Sequence, residues 1–168
     1  MTWHGRVDLR RSPEEANNLP EVALLPCLAP LLVRLNAPES AFFTVKCDVW
    51  LLDEIDPFEF DAEPGTAAQG LACYIDLLPH IPEDWPDHET TATWCDRLCT
   101  TLRSAPALRC CRTDMVIRRA VRDILQPAIG ITAYLAACGS TETLARTNLG
   151  VALTAFVDAI VARGTRTG

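Results

Sequence analysis

The feature that most constrains this chain is the stretch from residue 126 to residue 163. Residues 128–138 hold no charge at all, and after Gly139 and Ser140 the run over residues 149–161 carries only Asp158. Two runs this apolar require almost complete removal from water, so they belong at the centre of a core or in an interface between subunits. Read with a helical period, they form an apolar hairpin that turns at Gly139-Ser140. In its second helix Leu149, Leu153, Phe156 and Ile160 share one side, with Val157 and Val161 on the neighbouring strip.

Three further segments read as amphipathic helices that would cover this hairpin. In residues 66–78, Leu71, Tyr74, Ile75 and Leu78 share a helical face, and Pro79 ends the segment. In residues 87–103, Asp87 suits the N-cap because its carboxylate accepts from amides of the first turn. Trp94, Leu98 and Leu102 then recur at helical spacing, with Cys95 and Cys99 beside them. Residues 113–125 place Ile117, Ala120, Val121 and Ile124 inward and pair Asp114 with Arg118, and Arg119 with Asp123, across single turns. Each segment offers one apolar face, and the hairpin is apolar around its circumference. That surplus assigns Leu149, Leu153, Phe156 and Ile160 to an interface with another protein or a second copy. Ser140 or Thr141 would cap the last helix.

The N-terminal third has a different grammar. Pro20, Pro26 and Pro30 break up a Leu-rich run, so the reading is a short helix begun near Cys27, with Pro30 in its first turn, ending at Asn36. Residues 42–51 alternate, with Phe43, Val45, Cys47, Val49 and Leu51 on one side, as a half-buried strand does. A lone strand is not stable, and residues 7–10, 22–25 and 58–60 are its candidate partners. Residues 53–63 pack six carboxylates around Pro57, which is loop chemistry. The expected architecture is a single domain that is mainly α: about five helices around the C-terminal hairpin. A small β element is possible in residues 1–65, with a helical part over residues 66–164; α+β is the alternative.

At 168 residues the chain suits one domain. Its formal charge of −7 repels phosphate-rich partners at long range, which argues against nucleic acid and anionic membrane surfaces. No uncharged apolar run approaches the roughly 20 residues that span a bilayer, so no membrane span is expected. Residues 1–20 carry several charges and no signal-peptide core, which predicts a cytoplasmic protein, or one inside a host cell if viral, with reduced cysteines.

Three groups of residues have chemistry worth weighing. Cys95 and Cys99 lie one helical turn apart, and Cys110 and Cys111 follow the break at Pro106; together they would suit a tetrahedral zinc site, with His88 as a substitute ligand. The tight two-residue spacing of zinc knuckles is missing, and buried cysteine acting as a small hydrophobe competes with that reading. The six carboxylates of residues 53–63 would serve a divalent cation or a basic partner, or simply stay solvated. Residues 97–122 hold seven Arg, of which Arg112, Arg118, Arg119 and Arg122 would dock an anion or an acidic partner. No nucleophile motif, metalloprotease motif or phosphate loop occurs, and no cofactor is implied apart from the possible zinc. The functional expectation is a small non-enzymatic protein acting through protein–protein contact, as a homodimer or an accessory partner. A zinc- or small-ligand-binding domain and a nucleic-acid-binding regulator acting through residues 97–122 are the alternatives.

Overall fold

In the computed structural model, which describes residues 7–85, 87–122 and 126–164, the uncharged run of residues 128–138 is a strand rather than a helix. It belongs to a four-stranded antiparallel sheet built from β1 (Phe42–Leu51), β2 (Gln69–Pro79), β3 (Cys111–Arg122) and β4 (Gln126–Gly139), in the order β1-β2-β4-β3. The helices are α1 (Pro20–Leu24), α2 (Leu28–Asn36), α3 (His88–Arg103) and α4 (Glu142–Gly164). The architecture is therefore α+β, and the expectations of a mainly α fold and of a helical bundle are corrected. Two of the covering helices (residues 66–78 and 113–125) and the first half of the hairpin are strands; residues 123–125 lie outside the described residues.

The physical reason lies in period two. In β4, Ile131, Ala133, Leu135 and Ala137 are fully buried and point to the helices, while Gly130, Thr132, Tyr134 and Ala136 alternate with them. In β2 the same alternation buries Leu71, Cys73, Ile75 and Leu77. The outward residues of both strands are mostly small or aromatic, Gly70, Ala72 and Tyr74 in β2 and Gly130, Thr132, Tyr134 and Ala136 in β4, with Asp76 as the one charge, so the alternation loses most of its polar contrast. A run of that kind matches a helical template as readily as a strand template. In β3 the expected single-turn pair between Asp114 and Arg118 is replaced by strand geometry. Arg112 bonds Asp114 two residues along the same face at 2.6 Å, and Arg118 reaches across to Asp76 at 2.8 Å.

Other expectations stand. β1 spans residues 42–51, but its partner is β2 and none of the three segments considered. A bulge between Thr44 and Lys46 changes the parity of the strand. Phe42 before it and Cys47 and Val49 after it therefore face the core, whereas Phe43 faces away beside Arg10 and His80. α2 starts after Cys27 and ends at Asn36, and α3 is capped by Asp87, whose carboxylate accepts from the Thr90 amide at 2.7 Å. Thr141 caps α4, accepting from the Leu144 amide at 3.2 Å.

The helices form one layer against one face of the sheet. α4 runs beneath β2 and β4, α2 lies beside it toward β1, and α3 lies toward β3. Leu149, Leu153, Phe156 and Ile160 are fully buried in this layer. Burial of each contributes about 1.5–3 kcal/mol. By length and composition α4 would also be able to cross a membrane; here it is packed beneath the sheet.

Candidate interaction surface

The helix layer covers one face of the sheet and, among the described residues, leaves the other without a helix. Register lays out the side chains of that second face as a grid. One row runs Trp50, Ala72, Ala136, Arg112, and the next Asp48, Tyr74, Tyr134, Asp114. A third runs Lys46, Asp76, Thr132, Val116. The end of the face beside Phe43 and Leu78 carries Arg118.

Aromatic rings cross the middle of the grid. Trp50 and Tyr74 lie 6.2 Å apart between centroids, and Tyr74 and Tyr134 lie 6.0 Å apart. Both contacts are tilted and within the range in which ring edges meet ring faces favourably. Trp50 is 37% exposed and Tyr134 42%, and Val116 in the adjoining row is 50% exposed, so this part of the face meets solvent although built from residues that normally prefer burial. Phe58, in the 3-10 turn Pro57–Phe60 on the connection between β1 and β2, adds an exposed ring. The neighbouring Glu59 carboxylate is bonded to Arg112, which ties that connection to β3.

Polar groups on the face are matched. Asp76 accepts from the Thr132 hydroxyl at 2.6 Å and from Arg118 at 2.8 Å, so one carboxylate links β2, β4 and β3. Lys46 lies 5.4 Å from the Tyr74 ring centre. Between the aromatic row and the loop, Ala72 and Ala136 floor a depression of about 370 Å³ walled by Trp50, Tyr134, Phe60 and Arg112, with Glu54, Glu59 and Asp114 at its edge.

The sequence-predicted interface residues are elsewhere. Leu149, Leu153, Phe156 and Ile160 face the sheet of their own chain, and the outward strip of α4 shows only Leu144 and Val151 as large exposed apolar groups. That strip borders a second, shallower groove with Cys27, Gly150 and Val151. The apolar surplus is taken up within the chain because the sheet, not three one-sided helices, covers α4.

The cysteines divide. Cys95 faces the core from α3, where burial pushes its thiol up to about 12. Cys99 follows one turn later with its pKa also raised by burial. Cys111 turns toward α4, donating to the Asn148 carbonyl at 3.5 Å. Cys110 instead meets Cys138 at the end of β4. Among the described residues no three His, Cys, Asp or Glu side chains gather as a metal site. Of the four arginines, Arg112 and Arg118 are on the open face in ion pairs, while Arg119 falls on the opposite parity of β3. Arg122 pairs with Gln126 at the far end of the hairpin.

The aromatic row escaped the sequence reading because its members come from three different strands. The available signal was alternation in β2 and β4, which places Tyr74 and Tyr134 opposite Ile75 and Leu135. Comparison with models of protein families, with curated proteins and with solved structures finds no match to this chain.

Proposed function

We propose that this protein acts through protein–protein contact, without catalysis of its own, and that a second copy of the chain occupies the open face of the sheet. The observation that carries this reading is an exposed aromatic row set in a face of balanced charge. Lys46, Arg112 and Arg118 stand against Asp48, Asp76 and Asp114 on the same side of the sheet. A chain of net charge −7 repels its own copy over most of its surface, and a locally neutral, apolar-centred face is where two copies approach at least cost. Two sheets meeting this way interleave their side chains about 10 Å apart.

Area sets the strength. Four strands about 4.8 Å apart and about eight residues long offer roughly 500 Å² per copy. The pair buries about 1,000 Å², at the lower bound for a specific interface, so the dimer is weak, with a Kd in the micromolar range. Nucleic acid is the poorer occupant. Bases would stack on the aromatic row, but phosphates need unmatched cations, and Arg112 and Arg118 are already neutralised by Glu59, Asp114 and Asp76.

Sedimentation velocity over a concentration series tests the reading. The wild-type chain should shift from monomer to dimer as concentration passes through the micromolar range. Tyr134→Glu and Trp50→Glu should each leave a folded monomer. A wild-type chain that stays monomeric to about 500 µM, far above a micromolar Kd, overturns the proposal. So does a dimer that survives both substitutions, which would place the contact in the groove beside Cys27 and Val151 instead.

A further inference from the structure

The end of the sheet where β3 begins and β4 stops holds a pair of thiols that the dimer reading does not use. Cys110 immediately precedes β3, and continuing the β3–β4 register by one residue sets it opposite Cys138. The pairing is real: the Cys138 amide donates to the Cys110 carbonyl at 2.9 Å. Directly opposed residues of an antiparallel pair have Cα atoms about 4.5–5.5 Å apart, inside the 4.4–6.8 Å window that a disulfide spans. Next to it, Cys111 points the other way, to the Asn148 carbonyl on α4, and is not a competitor for Cys138 in this arrangement.

Two further observations distinguish this pair from the other cysteines. Cys110 is one of only two non-glycine residues with positive φ among the described residues, at φ 62°. Left-handed backbone at a side chain other than Gly, Asn or Asp is uncommon and costs free energy, and such positions concentrate where function demands a particular placement. The two thiols also differ in access: Cys110 is partly exposed, while Cys138 is fully buried behind it. Burial, reinforced by the neighbouring Cys110 thiol, pushes the Cys138 pKa up to about 11 and keeps that thiol protonated at neutral pH. A reachable thiol backed by a protected one is the arrangement in which the first reacts with an oxidant and the second resolves it.

We infer that Cys110 and Cys138 form a redox-active dithiol that closes to a cross-strand disulfide on exposure to a peroxide. In the first step the Cys110 sulfur, as thiolate, attacks one oxygen of hydrogen peroxide. The O–O bond breaks, the departing hydroxide takes a proton to become water, and Cys110 is left as sulfenic acid. In the second step the Cys138 sulfur attacks the Cys110 sulfur. The S–S bond forms, the S–O bond breaks, and the hydroxyl leaves with the Cys138 proton as a second water. Overall two thiols lose two electrons and two protons to one peroxide. The bond would fasten the start of β3 to the end of β4, immediately before the turn into α4.

The test is mass spectrometry of the full-length chain after brief treatment with hydrogen peroxide and blocking of remaining thiols under denaturing, non-reducing conditions. Trypsin cuts after Arg109, Arg112, Arg122 and Arg146, so the expected product is the tripeptide 110–112 linked to residues 123–146, lighter by two hydrogens than the sum of the free peptides. Running Cys111→Ser in parallel decides which cysteine of the tripeptide is linked. That variant should still give the cross-link, and Cys110→Ala should abolish it while Cys138 remains a free thiol. Loss of the cross-link in Cys111→Ser but not in Cys110→Ala would overturn the assignment. So would a vicinal link between Cys110 and Cys111, or oxidation of Cys27, Cys47 or Cys99 ahead of this pair.

Discussion

Asn36, the last residue of α2, is only 4% exposed, and its amide is fully used. The nitrogen donates to the Leu32 carbonyl and to the Thr44 hydroxyl, each at 2.7 Å, and the oxygen accepts from the Thr44 amide at 3.1 Å. Thr44 is the residue at which the β1 bulge begins, so one side chain fastens the helix end to the point where the strand changes parity. Asn36→Ala takes the acceptor from the half-buried Thr44 amide and leaves a gap at the buried end of α2, and should cost about 1–3 kcal/mol, read as a lowered midpoint in urea unfolding with little change in slope. Asp87 is the exposed counterpart. Its carboxyl pKa lies below the usual value because the Thr90 amide, then the Thr90 hydroxyl, bonds the ionised form. A carboxylate with a depressed folded-state pKa stabilises above its unfolded pKa and loses that contribution as pH falls through the folded one. The melting temperature of wild type should therefore drop relative to Asp87→Asn as pH falls below about 4, near the reference carboxylate pKa. If the two curves run parallel across that range, the carboxylate is not acting as the cap. Both residues were legible in part: Asp87 as a cap, and Asn36 only as the point where a helix stops.

Elements are joined by close approach and by charge over rings. A Cβ placed on Gly139 would lie 2.8 Å from the Ala145 amide nitrogen and 2.9 Å from Leu144 Cβ, so the first turn of α4 packs directly on the end of β4. Because one of those atoms is backbone, Gly139→Ala forces the helix outward and should cost about 1–3 kcal/mol by chemical denaturation, with helix content retained. At the other end of α4, the Arg163 guanidinium lies 4.4 Å from the Trp85 ring centre and 5.7 Å from that of Trp94. Those rings pack on Phe42 of β1, so the cation joins α4, α3, the turn before α3 and the sheet. Arg163→Ala should lower stability by about 1–2 kcal/mol, and Arg163→Lys should recover part of it, because ring attraction survives any cation while guanidinium stacking does not. Equal losses in the two variants would mean that the contact is packing alone. The turn at Gly139-Ser140 is visible in the sequence; which elements it joins is not, since the segment before it is a strand.

For the whole molecule, one sheet and one layer of helices leave a face that no helix among the described residues covers, and the proposed dimer makes a second layer from a second copy. The charges on that face are largely paired within the chain, so raising the ionic strength should change the dimer Kd by less than about tenfold. A steep salt dependence would instead assign the contact to the exposed carboxylates of residues 53–63. Sequence by itself determined the ends of α2, the capped α3, the extent of β1, the turn before α4 and the apolar character of α4. Each of these rests on local information: a proline, a cap, or an alternation with polar contrast. It did not determine β2 and β4, whose outward residues are mostly small or aromatic, nor β3, an edge strand whose charges also fit single-turn helical pairs; in all three the ladder hydrogen bonds go to residues outside the segment itself. β4, for instance, is paired on one side with β2 and on the other with β3. The same limit hid the candidate sites. Trp50, Tyr74 and Tyr134 become one row, and Cys110 and Cys138 one pair, only once tertiary pairing has set the register of the strands that carry them.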